Sequence, residues 1–385
     1  MISQAQREIR ELARDFARRE VAPHAGEWDK QAELPMHVVK RMADVGLLGM
    51  TAQERWGGIE ADSVSLALAV EAIASADATL ALVLSMANSL TILTLMKHGT
   101  PAQREQWMKA IVAGDRIASF AITESHAGSD PTKMKARAER KGDRYVVSGE
   151  KSYISLGSAS RLCFLFVMTE PEAGARGISC FLVPTETKGF GIMRKEDKLG
   201  LRASDTCQLV FDEMELHRDQ LVGTPGDGYR IALQGLGASR IGVAAQAVGV
   251  ATAAFEAASA YAKEREAFGR TLVDHQGIGF RLANMAMDIA AARHLTIHAA
   301  RLKDAEQRYA TASAMAKTFA SEMCERVCSS AIQVFGASGY MSDNPVSRLY
   351  RDARVFQIYE GTTEIQRIII ARSIADGSIG DAMEV

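Results

Sequence analysis

One carboxylate in this chain is set at the mouth of a helix: residues 355–366 read VFQIYEGTTEIQ, with Glu360 followed by Gly361, Thr362 and Thr363. Thr363 and Gln366 have the spacing of a capping box, and Ile365, Ile368 and Ile369 recur at helical intervals, so the pattern predicts a helix beginning at Thr363. Gly361 supplies a tight backbone and leaves Glu360 just outside the first turn, where unpaired N–H groups can bind an acceptor oxygen. A carboxylate held there is a candidate general base, with an oxygen-binding backbone beside it. Most loop glutamates are only solvated, so the assignment depends on partners elsewhere in the chain.

Four other groups of residues could supply those partners. Residues 120–131, FAITESHAGSDP, carry the hydroxyls of Thr123 and Ser129 around a flexible turn that can face a polar ring edge or a phosphate. Residues 151–155, KSYIS, end a strand, and a period of two puts Tyr153 and Ser155 on one face, an aromatic plate with a hydroxyl beside it that can hold a planar cofactor. Arg265 begins REAFGR after a long helix and suits a pyrophosphate, and Gln333 begins QVFGASGY, a close-approach loop. Taken singly, these are an ordinary turn, a strand end and two helix C-caps. His126 alone reads as a surface histidine, and Arg348, Arg351, Asp352 and Arg354 as a solvated ion-pair face.

The elements that must position these groups change type twice along the chain. Ile9, Leu12, Phe16 and Val21 mark an amphipathic helix stopped by Pro23, and residues 64–73 and 80–96 read as buried helices. After Gly114 the pattern becomes short β-rich runs around Tyr145, Cys163, Ile178 and Cys207, separated by turn residues. Beyond the turn cluster at 223–228 it returns to long alanine-rich helices. The expected fold is α+β: an N-terminal helical domain over residues 1–115, a middle antiparallel β-domain over 116–222 and a C-terminal helical domain, a four-helix bundle, over 223–385.

Composition narrows the function. With 47% hydrophobic residues and a net charge of −2, the chain can bury a large core and lacks the basic field that collects nucleic acid. Its five cysteines contain no CxxC pair and read as packing or surface thiols, with no metal site expected. Residues 78–96 are uncharged and long enough to span a membrane, but their Ser, Thr and Asn content favours a buried helix, so no membrane span is expected. The polar, helix-forming start carries no signal-peptide pattern, which gives a cytoplasmic expectation. Gly235-Leu236-Gly237 lies in a helical run with Arg240 where a third glycine belongs, so it is not a dinucleotide fingerprint.

Taken together, six stretches resemble the acyl-CoA dehydrogenase family in order and rough spacing. They are the Thr123 to Asp130 loop, Tyr153-Ile154-Ser155, residues 198–206 (KLGLRASDT), Arg265 with Phe268-Gly269, Gln333 with Phe335-Gly336, and Arg351 through the Glu360 loop to Gln366. The resemblance spans nearly the whole chain. It implies a homotetramer of α, β, α subunits with FAD held partly by a neighbouring subunit. It assigns flavin contacts to Phe120, Ile122, Thr123, Ser129, Tyr153 and Ser155, and to Thr362 and Glu364 after the loop. Across the subunit interface it assigns Arg265, Phe268, Gln276, Gln333 and Gly336. It places Ser129 and Arg240 along the CoA channel, Gly361 beside the thioester, and Glu360 in the position of the base.

Some residues depart from the family pattern: Ser125-His126 stands for a usual Pro-Gly, Tyr153 for a tryptophan, Ser155 for a threonine, Ala337 for a second glycine and Gly237 for an aspartate of several straight-chain members. Some members carry the base on the helix near Gly237; here that position has no carboxylate, which favours the loop and the short- and medium-chain type. The activity implied is α,β-dehydrogenation of an acyl-CoA to the trans-2-enoyl-CoA, with electrons passed to an electron-transferring flavoprotein. An acyl-CoA oxidase and a dehydrogenase of acyl or aminoacyl groups on a carrier protein stay open as alternatives, as does the acyl chain length.

Overall fold

The computed structural model describes residues 2–383. Ser3 opens the first helix through a reciprocal cap with Gln6, and the chain then forms α1 (Gln4–Phe16), a π-helical turn (Ala17–Val21), α2 (Ala25–Gln31) and α3 (Met36–Asp44). Leu12, expected on the apolar stripe of α1, is exposed. Asp62 and Asp77 cap α4 (Ser63–Ala74) and α5 (Ala78–Ser85) by accepting from the Ser65 and Leu80 amides. From α5 the chain continues through a π-helical segment (Met86–Ile92) into α6 (Leu93–His98), and a Thr100–Gln103 capping box opens α7 (Pro101–Val112). The helical runs Ala78–His98 and Gly228–Glu264 are long and apolar enough to cross a membrane, but 83% and 72% of their most apolar windows are buried inside the chain. Their apolar surface therefore faces protein.

The middle of the chain forms β1 (Ala118–Ala121), β2 (Arg137–Lys141), β3 (Arg144–Ser155), β4 (Leu162–Met168), β5 (Ile178–Pro184), β6 (Phe190–Lys195), β7 (Thr206–His217) and β8 (Leu221–Val222). They make one sheet in the order β6-β7-β3-β2-β4-β5-β8, with β1 also beside β4. The sheet is mixed, not antiparallel as expected: β1 and β2 both run parallel to β4. The chain crosses from β1 to β2 through residues 122–136 before it turns back, so β1 reaches β4 by a crossover and not by a hairpin. All seven residues of β4 are buried. Phe164, Phe166 and Met168 face the helices around Ile92 and Met108, while Cys163, Leu165 and Val167 face Phe181, Leu209 and Phe211. That alternation welds the sheet to the N-terminal helices.

The C-terminal part is built from α8 (Gly228–Glu264), a small hairpin of β9 (Glu266–Ala267) and β10 (Arg270–Thr271), α9 (Gln276–Asp304), α10 (Ala310–Phe335), α11 (Pro345–Ala353), α12 (Thr363–Ala375) and α13 (Gly380–Met383). α10 packs on α8, α9 and α12, and α4 lies across α8. The α4–α8 crossing is close at Gly249: a Cβ there would stand 2.7 Å from the Ala74 Cβ and inside contact distance of the Glu71 carbonyl oxygen. Gly249→Ala is therefore expected to force the helices apart and cost about 1–3 kcal/mol, read as a lower urea midpoint with the fold retained.

The expected solvated face on α11 is instead a buried bolt. Arg348 reaches Asp77 at 3.3 Å, Arg351 reaches Asp29 at 2.5 Å, and the Asp352 carboxylate accepts from the Leu201 amide at 2.6 Å. Only Arg354 stays exposed, because α11 is wedged between the N-terminal helices and the 199–201 loop. Burial pushes Asp352 up to about 6 and raises Asp77, with Arg348 opposing both shifts. All five cysteines are buried and free, as packing thiols.

Candidate active site

The Glu360 loop differs from its expected form by one residue. Thr362, not Thr363, caps α12 by accepting from the Ile365 amide. Glu360 and Gly361 both adopt left-handed backbone, with φ of 55° and 87°, and this double turn brings Thr362 into the extended cap position. Gln366, expected in the capping box, is freed to donate its side-chain amide to the Gly361 carbonyl at 2.8 Å and the Glu360 carbonyl at 3.3 Å. A Cβ at position 361 would sit 2.8 Å from that same amide nitrogen, so both φ and space require glycine. Among the described residues, the N–H groups of Glu360 and Gly361 have no acceptor.

The Glu360 carboxylate points to α8, where the Ser239 hydroxyl meets its Oε2 at 2.6 Å. Burial is the largest influence on this carboxyl and raises its proton affinity; the Ser239 hydrogen bond, the Arg240 guanidinium and the Lys317 ammonium act in the opposite direction. Ser239 Oγ also lies 3.1 Å from the Leu236 carbonyl, yet a hydroxyl has one proton. It donates to Glu360 when the carboxylate is ionised and is free to turn to Leu236 when Glu360 holds a proton. Ser239→Ala removes a donor to the charged form, so the carboxyl's pKa is expected to rise and any activity that needs the carboxylate to lose its acid limb at higher pH. A pH profile of kcat/KM reads this. Tyr359, next to the carboxylate, anchors the loop by donating to Gln246 of α8 at 2.6 Å.

Glu360 opens on a cleft of about 1280 Å³ between the sheet and the C-terminal helices. Leu82, Met86 and Leu90 line it from α5 and the π-helical segment, which shifts side chains relative to a regular helix. Phe120, Ile122, Thr123, Ser129, Tyr153 and Ser155 line it from the sheet side, Gly237 and Arg240 from α8, and Gly361 and Thr362 beside Glu360. Tyr153 and Ser155 are both present, but not by the period of two: a register shift between Lys151 and Ile154 sets Tyr153 at φ 60°, projecting its ring. Arg240 is 6% exposed, and its Nε lacks a hydrogen-bond partner among the described residues.

The segment from Phe120 to Glu124 is pinned from beneath. Lys151, fully buried, donates to Glu124 at 2.8 Å and to the Ile122 carbonyl at 3.0 Å, while Glu124 accepts from the Lys135 and Ala136 amides. His126, half exposed, stands 3.5 Å from Glu124 and takes no place in the cleft wall.

The other residues singled out in the sequence lie elsewhere. Arg265 caps the end of α8, Phe268 sits in the β9–β10 hairpin with its ring fully exposed, Gln276 begins α9, and Gln333 and Gly336 end α10. Tyr261 stacks on Phe335 and so holds these ends together at one exposed pole of the bundle. None of them lines this cleft, and Glu364 faces solvent on the first turn of α12. Sequence reasoning missed Ser239 and Lys317. Lys317 had a signal, a single charge inside the small apolar run around Ala314 and Ala320. Ser239 had none, since a serine in a helix is unremarkable until the loop meets it.

Comparison with known proteins accounts for this arrangement. Residues 3–115 match the acyl-CoA dehydrogenase N-terminal domain, 119–214 its middle domain and 226–375 its C-terminal domain. The chain is 42% identical over 377 residues to an acyl-CoA dehydrogenase of Bacillus subtilis, covering 98% of this chain and 100% of that protein. It is 40% identical over 363 residues to the mitochondrial short-chain specific acyl-CoA dehydrogenase of Rattus norvegicus, covering 94% and 88%. Its structure is similar to that of butyryl-CoA dehydrogenase from Megasphaera elsdenii, with a TM-score of 0.95 and 36% identity over 97% and 99% of the two chains. With all three domains matched in order, the chain belongs to the acyl-CoA dehydrogenase family, oxidoreductases that depend on FAD.

Proposed function

We propose that this protein dehydrogenates a short-chain acyl-CoA to the trans-2-enoyl-CoA, with Glu360 as the base. The observation that carries the reading is a buried carboxylate at the wall of a large, mostly apolar cleft, flanked by two N–H groups with no acceptor of their own. A thioester α-proton is too weakly acidic for a carboxylate in water, so the site has to exclude water and hold the oxygen on which charge develops. Burial does the first, strengthening Glu360 as a base. The N–H of Glu360, which has no acceptor of its own among the described residues, is the donor assigned to the second.

The residues present fit FAD. Thr123 and Ser155 offer hydroxyls with no side-chain partner among the described residues, and the projecting Tyr153 ring offers a flat face beside them. When bound, FAD supplies the acceptor for the hydride that leaves the substrate β-carbon. Glu360 takes the α-proton, and the Ser239 hydroxyl turns from Glu360 toward Leu236 as that carboxyl becomes neutral. Arg240 and Ser129 line the path of the CoA portion, and Gly361 borders the thioester.

The names of the Rattus and Megasphaera relatives support a short acyl chain, and Leu82, Met86 and Leu90 are bulky enough to bound one. The same proposal includes a cytoplasmic homotetramer that re-oxidises through an electron-transferring flavoprotein. In it, Arg265, Phe268, Gln276, Gln333 and Gly336 complete the flavin site of a neighbouring subunit, which suits their exposure at one pole, and Thr362 and Glu364 contact the flavin near the loop. The test is anaerobic flavin bleaching with a panel from butyryl- to palmitoyl-CoA: bleaching greatest with butyryl-CoA is expected, and no bleaching with any thioester would overturn the reading.

A further inference from the structure

Lys317 is among the largest fully buried side chains of the protein, and among the described residues no carboxylate lies within ion-pair distance of it. Its ammonium donates to one oxygen, the Gly361 carbonyl at 2.6 Å. A buried, unpaired cation is costly, and a methionine would fill the same space without that cost. What the charge does have is a target: the carbonyl it grips belongs to the residue after Glu360, and Glu360 exerts the largest attraction on it.

We propose that Lys317 is a positioning residue for this site, clamping the left-handed Glu360–Gly361 turn from the core of the bundle and holding a buried positive charge against the loop that carries Glu360. The inference rests on Glu360 being the base. Two donors from two helices, Lys317 of α10 and Gln366 of α12, converge on the same Gly361 oxygen. That convergence over-determines a turn which a non-glycine residue at position 360 does not favour.

The charged and titratable groups around the pair come from every packed element. Arg240 and Ser239 face Glu360 from α8, Lys317 faces it from α10, and Tyr359 adjoins it on the loop. Lys317 itself is pushed down to about 8 by burial, with Glu360 raising it, Arg240 lowering it further and Glu364 raising it. Tyr309 lies near Arg240. Lys317 and Glu360 thus stabilise each other's charged forms.

The test uses the FAD-loaded enzyme and the variants Lys317→Met and Lys317→Gln. The protonated-carboxyl infrared band of Glu360, with Glu360→Gln as blank, is titrated against pH alongside kcat/KM. Lys317→Met is expected to raise the Glu360 midpoint and the acid limb together by about one pH unit, roughly a tenfold loss of kcat/KM on that limb. It is also expected to lower kcat more than it changes KM. Lys317→Gln keeps a donor to Gly361 without charge, so it should show the midpoint shift with a smaller loss of kcat. An infrared midpoint that does not move in a folded, flavin-bound variant overturns the proposal, even if Glu360→Gln confirms the base. If neither variant holds flavin, the reciprocal measurement decides: Lys317 deprotonation, followed by its side-chain carbon shift, must fall to lower pH in Glu360→Gln, and an unchanged value overturns the coupling.

Discussion

Glu360→Gln is expected to lower kcat by about 10²–10⁴-fold while the protein still folds, binds FAD and binds acyl-CoA. Glutamine has nearly the same shape, can still meet Ser239, and leaves the left-handed turn and its Lys317 and Gln366 clamps in place. What it removes is the ability to accept a proton. The loss should therefore appear in kcat and kcat/KM alike, with the oxidised flavin spectrum unchanged and anaerobic bleaching by butyryl-CoA slowed by a similar factor. Glu360→Asp is the companion measurement: it keeps the acid but withdraws it by one methylene, so activity should fall without vanishing. Turnover by Glu360→Gln near the native rate would remove Glu360 from the role of base.

The largest expected effect on stability lies beneath the cleft, at Glu124. Glu124→Ala leaves Lys151 fully buried with only the Ile122 carbonyl and the Met134 sulfur as partners, and leaves the Lys135 and Ala136 amides without an acceptor. Breaking a buried pair in this way costs about 3–5 kcal/mol, because the remaining charge has nowhere to go. Lys151→Met should cost less, since two amides still solvate Glu124. Burial lowers the Lys151 pKa and Glu124 raises it again, so without Glu124 the lysine sheds its proton at lower pH. The folded Glu124→Ala protein then binds fewer protons than its unfolded chain, so its deficit should narrow as pH rises. Urea midpoints at neutral and alkaline pH measure this. Ile122 and Thr123 ride on the pinned segment, so weaker FAD retention is expected with the loss of stability.

Much of the architecture was written in local patterns. The change from helical spacing to short β-rich runs after Gly114, and the return to alanine-rich helices, reflects side-chain periodicities that any chain must obey. The polar residues within 78–96 distinguished a core helix from a membrane helix. Those same patterns could not show that β1 and β2 lie parallel to β4, because strand direction depends on how the crossover closes and not on the composition of each run. They also made α11 look like a solvated face: a row of arginines beside an aspartate looks the same whether water or Asp77 and Asp29 lie opposite.

At the site the division is similar. Glu360, its glycine and the cleft hydroxyls Thr123 and Ser155 stood out because each sits where backbone chemistry is distinctive: a helix mouth, a turn, a strand end. The cap itself slipped from Thr363 to Thr362, since two successive left-handed residues cannot be read from residue types when one of them is a glutamate. Ser239 and Lys317 come from helices about 120 and 40 residues away, and nothing local marks them as partners of Glu360. Chain-local chemistry selected the carboxylate; the packing of α8 and α10 around its loop set its charge, its donor and its orientation, because a buried charge takes its properties from whatever the fold brings within a few ångströms of it.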